Sequence, residues 1–181
     1  MMREPKGPGL RWLVAYVPVL FLASLASNGA GAQGSGCTAH AAGFPSRHIL
    51  QCRDGLTIEA EAGADYTLLD RDRDGSPDAA ALRSRALLVD QPARTGGRGF
   101  QIMTPQAIAA VRGTQWIADV AGERTSVFVI NGRVRVGRAR AARGVVLGPG
   151  EGVDVDPGTG PLTVRRWPAA RAAALLARFG R

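Results

Sequence analysis

Four carboxylates fall within nine residues of the stretch Asp70-Arg71-Asp72-Arg73-Asp74-Gly75-Ser76-Pro77-Asp78. Acids at its first, third and fifth positions, glycine at the sixth and an acid at the ninth suit a hard cation that takes about six to eight oxygens. Calcium is the ion this pattern points to, with Asp70, Asp72, Asp74 and Asp78 as its ligands. Other features point away from it. The twelfth position is Ala81, where such loops carry a bidentate glutamate, and Arg71 and Arg73 offset the local negative charge. The segment before the loop reads as strand rather than helix. The alternative is an Asp-Gly turn between two strands, with no cofactor.

A second set is basic. Arg133, Arg135, Arg138, Arg140 and Arg143 follow one another with no acid among them. Arginine pairs bidentately with phosphate and carboxylate, so Arg133, Arg135, Arg138 and Arg140 are candidate binding contacts. No aromatic residue interleaves the run to stack on bases, and nucleic acid is not the expected partner. Anionic lipid heads or envelope polymers fit the chemistry better. The plainer alternative is a solvated strand, because Arg133 and Arg135 alternate with Val134 and Val136.

Catalysis is hard to build from the remaining residues. The sequence has no G-x-S-x-G, no H-E-x-x-H and no phosphate-cradling glycine loop. His40 and His48 sit near the N-terminal cysteines, away from any evident nucleophile. Glu59 and Glu61 are two apart on the polar phase of a strand and read as solvated. A non-enzyme is the expectation.

The elements that must position these residues follow from composition and pattern. The chain has 181 residues, 45% apolar and 21% charged, with net charge +8 and Lys6 as its only lysine. That suffices for one domain with a buried core and is too apolar for general disorder. Arg3, Lys6 and Arg11 precede a charge-free apolar run from Trp12 to Ala26, and Ala30-Gly31-Ala32 follows. A basic start, a short apolar stretch and small residues make a secretory signal peptide over 1–32, cleaved after Ala32. Pro18 interrupts the run, and a bilayer core needs about 20 apolar residues, so no transmembrane span is expected after cleavage. The alternative is an uncleaved inner-membrane anchor. Export makes Cys37 and Cys52, the only cysteines, an expected disulfide within an N-terminal arm over 33–53. Such a bridge closes a loop of about 15 residues and contributes about 3 kcal/mol.

From Leu56 to Leu68 the even positions are apolar, the period of a half-buried strand or a bent pair, with Gly63 as a possible bulge site. Ala86–Val89, Trp116–Ala118, Val127–Ile130 and Val145–Leu147 are short apolar runs. Asn131-Gly132 is the strongest hairpin signal, since both residue types accept positive φ. About eight to ten short strands at this spacing mean an all-β sandwich or a β-helical stack. The end breaks the pattern: Trp167-Pro168 opens an alanine-rich helix over 166–181, closed by Gly180. Ala172, Leu175, Leu176 and Phe179 share one face, expected to cap an open edge or mouth of the β body.

The segment Thr104-Pro105-Gln106-Ala107-Ile108-Ala109-Ala110-Val111-Arg112-Gly113-Thr114 resembles the signature of FecR-domain proteins, an apolar lead into V-R-G-T. Trp116–Val120, the residues about Asn131-Gly132-Arg133-Val134, and Val146-Leu147-Gly148-Pro149-Gly150-Glu151 fit the same pattern. The resemblance covers roughly 54–165. It implies a periplasmic all-β domain that binds partners rather than catalysing, as in the regulators that relay an iron-uptake signal to a sigma factor. Arg112 becomes a candidate contact, either to a ligand or, architecturally, to a carboxylate. About eleven residues precede the apolar run and one helix follows Val164, so the expectation is a stand-alone exported FecR-like domain. Its expected role is a binding or sensory module contacting another envelope protein. The alternative is an envelope-polymer or anionic-lipid module, with calcium as a helper.

Overall fold

Cys37 and Cys52 face each other across the first hairpin of the chain and are joined by a disulfide. In the computed structural model, which describes residues 36–93, 99–111 and 113–181, that hairpin is β1 (Cys37–Ala42) and β2 (Arg47–Cys52). The apolar leader and Arg112 lie outside the described residues. Asp54 and Gly55 then turn the chain into β3 (Thr57–Glu61), the Asp54 carboxylate accepting the Leu56 N–H. The alternating segment is two strands and not one. The chain turns at Ala62-Gly63, and β4 (Asp65–Leu69) continues in a different layer.

Beyond the acidic loop run β5 (Ala79–Gln91), β6 (Gln101–Met103), β7 (Ala107–Val111), β8 (Thr114–Ala121) and β9 (Arg124–Asn131). Then come β10 (Val134–Arg138), β11 (Gly144–Leu147), β12 (Glu151–Val155), β13 (Arg165–Arg166) and α1 (Ala169–Ala177). Thirteen strands exceed the expected eight to ten because some, such as β6 and β13, are only three and two residues long.

β5 belongs to two layers. Its second half pairs with β3 and β8 in a layer that runs β1-β2-β3-β5-β8-β9-β12-β13. Its first half pairs with β4 and β6 in a layer that runs β4-β5-β6-β7-β10-β11. The strand bends where the two meet: Arg85 takes φ 66°, and the pairing register shifts opposite Asp65 and Tyr66. Among the described strands only β5 and β6 pair in parallel. The fold is therefore an all-β, two-layered curled sheet. A β-helical stack would pair its coils in parallel.

The core lies between the layers. Ile58, Leu87, Val89, Trp116 and Val127 of one layer pack against Ile102, Ala109, Val134 and Val136 of the other. Trp116 is fully buried, and its Nε1 is the one buried polar side-chain atom among the described residues without a hydrogen-bond partner.

The layers connect through glycines where any side chain would press on neighbouring atoms. Asn131-Gly132 does not close a hairpin, because β9 and β10 lie in different layers and do not pair. Gly132 sits at φ 85°, and a Cβ there would lie 2.6 Å from the Gly113 carbonyl oxygen and 2.8 Å from Thr114 Oγ1. Gly113, at φ 60°, is pressed against Ala93 in the same way, at 2.7 Å from its Cβ. Gly113-Thr114 and Gly132 thus form one packed corner. Gly132→Ala is expected to lower stability by about 1–3 kcal/mol, read from denaturant unfolding. A two-residue hairpin instead joins β8 to β9 through Gly122-Glu123, with glycine at the first central position at φ 58°.

α1 lies on a face, not over an edge. Leu175 and Phe179, with Ala172 and Leu176, pack on Ala86, Leu88, Ile117 and Phe128, the outer surface of the first layer. The physical reason is in the runs Ala86–Val89, Trp116–Ala118 and Val127–Ile130. Their successive apolar residues point to both faces, so the outer face also needs cover. Glu59 and Glu61 stand on that same outer face and are correspondingly not solvated. Glu59 is only 5% exposed and accepts from Arg47 and Arg181. Glu61 accepts from Arg178 and, at the bend of β5, from the Ala86 N–H.

Candidate functional site

Among the described residues the outer face of the second layer carries no helix, and the register sets its residues in rows. Gln101, Ala110, Arg135 and Val146 are cross-strand neighbours over β6, β7, β10 and β11. Beside them run Met103, Ile108, Gly137 and Gly144. Alternation dictates this: Val134, Val136 and Leu147 fill the core, so their neighbours Arg135 and Val146 must point out. A groove of about 440 Å³ opens here, floored by Ala110, Val111 and Val146 and rimmed by Arg133, Arg135 and Gln101. Val146 is 53% exposed.

The basic run divides by partner. Arg138 is structural, donating from Nε to the Gly160 carbonyl at 2.8 Å and from Nη1 to the Asp156 carbonyl at 2.6 Å. Arg133, Arg135, Arg140 and Arg143 are exposed and make no ion pair among the described residues. Arg112 lies outside the described residues.

A second cleft of about 300 Å³ lies by β12, lined by Arg138, Asp154, Asp156, Arg165, Trp167 and Arg171 among others. Most of its charges are spent on one another. Arg171 grips Asp154 through both Nη atoms, at 2.9 and 2.5 Å, and stacks 3.6 Å above the Trp167 ring. Arg124 pairs with Asp156 at 2.7 Å. Burial would raise the Asp154 pKa, but hydrogen bonds from Arg171 and Ser126 and the charges of Arg171 and Arg124 hold it below its ordinary value. A depressed folded-state value means that this stabilisation is present above the unfolded value, about 3.9, and lost as pH falls through the folded one. Asp154→Asn is expected to lower stability at neutral pH and to flatten its decline in acid, checked by urea unfolding across a pH series.

The acidic loop is closed by its own hydrogen bonds. Asp70 accepts the N–H groups of Asp74 and Gly75, and Asp74 accepts that of Ser76. Carboxylate oxygens of Asp70, Asp72 and Asp74 lie within 4.8 Å of one another. Asp78 does not join them, because Arg71 holds it at 2.9 Å while reaching Gln101 with its other end. Three carboxylates thus stand close together, and the fourth is engaged by Arg71.

The T-P-Q-A segment is architectural. Thr104 Oγ1 caps the Ala107 N–H and meets Thr125 Oγ1 of β9 at 2.7 Å, and Thr125 donates to Gln106. It ties one layer to the other. His40 and His48 are exposed on the first hairpin, on opposite faces.

The FecR protein family matches residues 45–135, half of the chain. The chain belongs to the FecR family. Its match begins at the tip of the first hairpin and ends in β10, so β11, β12 and α1 lie beyond it. No curated protein matches the sequence. Two crystal structures of a candidate anti-sigma factor from Parabacteroides distasonis ATCC 8503 share the fold, each with a TM-score of 0.57 and 20% identity. The similarity covers 77% of this FecR-family chain and 64% of that one, less than two thirds of its length. A disulfide and FecR membership both suit an extracytoplasmic domain, and among the described residues no helix is long and apolar enough to cross a membrane.

Sequence reasoning found the arginines but missed Gln101, Ala110 and Val146, which complete the groove. The signal was available in the alternation of β10 and β11, once their pairing was known.

Proposed function

We propose that this FecR-family chain is a non-catalytic, periplasmic binding or sensory module that contacts another envelope protein. The observation that carries this is the outer face of the second layer, where, among the described residues, nothing covers an apolar groove and the arginines at its rim make no ion pair. The first layer's outer face is closed by α1, and the inner faces close on each other, so this face has surface left for a partner. FecR membership and the fold shared with a candidate anti-sigma factor support a regulatory role for that contact. The leader supports export, with cleavage after Ala32. Immobilised full chain incubated with detergent-solubilised envelope is expected to retain a protein at low salt and to release it steeply as salt rises. Retention of none would remove the reading.

A second reading takes the same arginines as contacts for anionic lipid or envelope polymer, with Asp70, Asp72 and Asp74 holding calcium. It predicts retention of protein-free lipid or wall polymer in that experiment. It also predicts a melting temperature that rises in calcium, a rise that Asp72→Ala abolishes. Equal melting in calcium and in chelator removes the ion.

A further inference from the structure

We propose that the outer edge of β11 accepts an added strand, an extended acidic segment of the partner protein. This rests on the binding reading above and names its surface and chemistry.

β11 pairs with β10 on one side only, and the backbone edge of Gly144–Leu147 facing away makes no hydrogen bond among the described residues. Exposed edges are commonly guarded by charge, proline or a bulge within the strand. Gly144-Val145-Val146-Leu147 has none of these, its shortness at four residues being its one guard. Its charges stand beside it instead: Arg140 and Arg143 in the turn that enters it, and Arg135 directly across from Val146. All are of one sign and none is paired among the described residues. A second copy of this chain would bring like charges together along the same edge, so the field disfavours self-association and favours an acidic strand. An anionic lipid head could satisfy the arginines, but it has no backbone N–H and C=O groups to complete the ladder. A polypeptide has both.

The spacing allows it. A strand added to β11 lies about 4.8 Å from it and about 10 Å from β10. An acid on the outer face of the added strand is then within reach of the long Arg135 side chain, and one near Gly144 meets Arg143 and Arg140. An apolar neighbour covers Val146. β1 is also an edge, but its residues from Thr38 to Ala42 carry no arginine, lysine or acid to select a partner.

The test places a photoreactive benzoylphenylalanine in the full chain, in its own cells, at Val146, at Ala41 in β1 or at Ala173 on the exposed side of α1. All three sites are exposed, and unchanged melting of each purified variant confirms folding. The expected result is a protein adduct from Val146 whose crosslinked peptide is rich in Asp and Glu. Its yield should fall at least tenfold in Arg135→Glu/Arg143→Glu. The purified chain should also bind a labelled Val-Glu octapeptide repeat and ignore the Val-Lys repeat. Protein adducts from Ala41 or Ala173 but none from Val146 would overturn the edge proposal and leave the binding reading standing. Val146 adducts that persist undiminished after charge reversal would do the same, and Val146 adducts that are lipid would overturn the edge proposal in favour of the lipid reading. Protein adducts from none of the three sites would overturn both.

Discussion

Replacing Phe179 by alanine is expected to destabilise the protein by about 3–5 kcal/mol, the range for emptying a large aromatic site in a packed core. Phe179 is 0% exposed, just beyond the last turn of α1, and it packs with Trp167, Leu175, Ile117 and Phe128 in a cluster separate from the main core. Trp167 stacks on Phe128 with ring centroids 5.0 Å apart, so the cavity would open beneath two large rings that cannot collapse into it without breaking their own contact. Urea unfolding followed by tryptophan fluorescence measures the loss, and Ala173→Ser on the exposed side of the helix is the control, expected within about 0.5 kcal/mol of the parent. A loss for Phe179→Ala no larger than the control's would mean that α1 is an appendage.

Arg178→Met is the second large effect, expected at about 2–4 kcal/mol near neutral pH, somewhat below the cost of breaking a fully buried pair. Arg178 is the joint between helix and sheet. It donates to both oxygens of Asp119 at 2.8 and 2.9 Å and to both oxygens of Glu61. Hydrogen bonding to Asp119 raises its pKa, burial opposes the rise and Glu61 adds to it, so the guanidinium stays charged at any pH of interest. Methionine keeps the stem's packing and leaves two half-buried carboxylates facing a neutral side chain. Among the described residues Glu61 keeps an ion pair, with Arg85 at 3.7 Å. Glu61→Gln added to Arg178→Met should recover part of the loss, because glutamine still accepts the Ala86 N–H without the charge. A double variant that loses as much as the two singles combined would contradict this coupling.

These two sites also show what the sequence could and could not disclose. Alternation revealed β3, β4 and β10, and the unbroken apolar runs revealed β5, β8 and β9. An unbroken run says that both faces are buried without saying by what, so the helix was legible and its seat was not. Glu59 and Glu61 were read as solvated because a period of two gives the direction of a side chain, not whether that direction is later covered. Their partners Arg178 and Arg181 lie more than a hundred residues away. Asn131-Gly132 carried the chemistry of a tight turn, but its neighbours belong to different layers, and local residue types cannot register that. The β8–β9 hairpin leaves little trace in the sequence, because Ala121-Gly122-Glu123-Arg124 lacks a conspicuous turn dipeptide. At the candidate site the charges were legible by composition. That Arg138 is tied to two carbonyls, while Arg135 makes no ion pair among the described residues, depends on tertiary contacts with residues 156–160.

The central claim, an exported module that works by holding an envelope protein, is tested most directly by crosslinking the tagged chain in living cells and analysing bait and captures by mass spectrometry. Lys6 is the only lysine, so photo-leucine serves better than an amine-reactive reagent. The predicted result is a bait that begins near Gln33 and is joined to a protein of the envelope. A correctly processed bait joined to no protein would contradict the account.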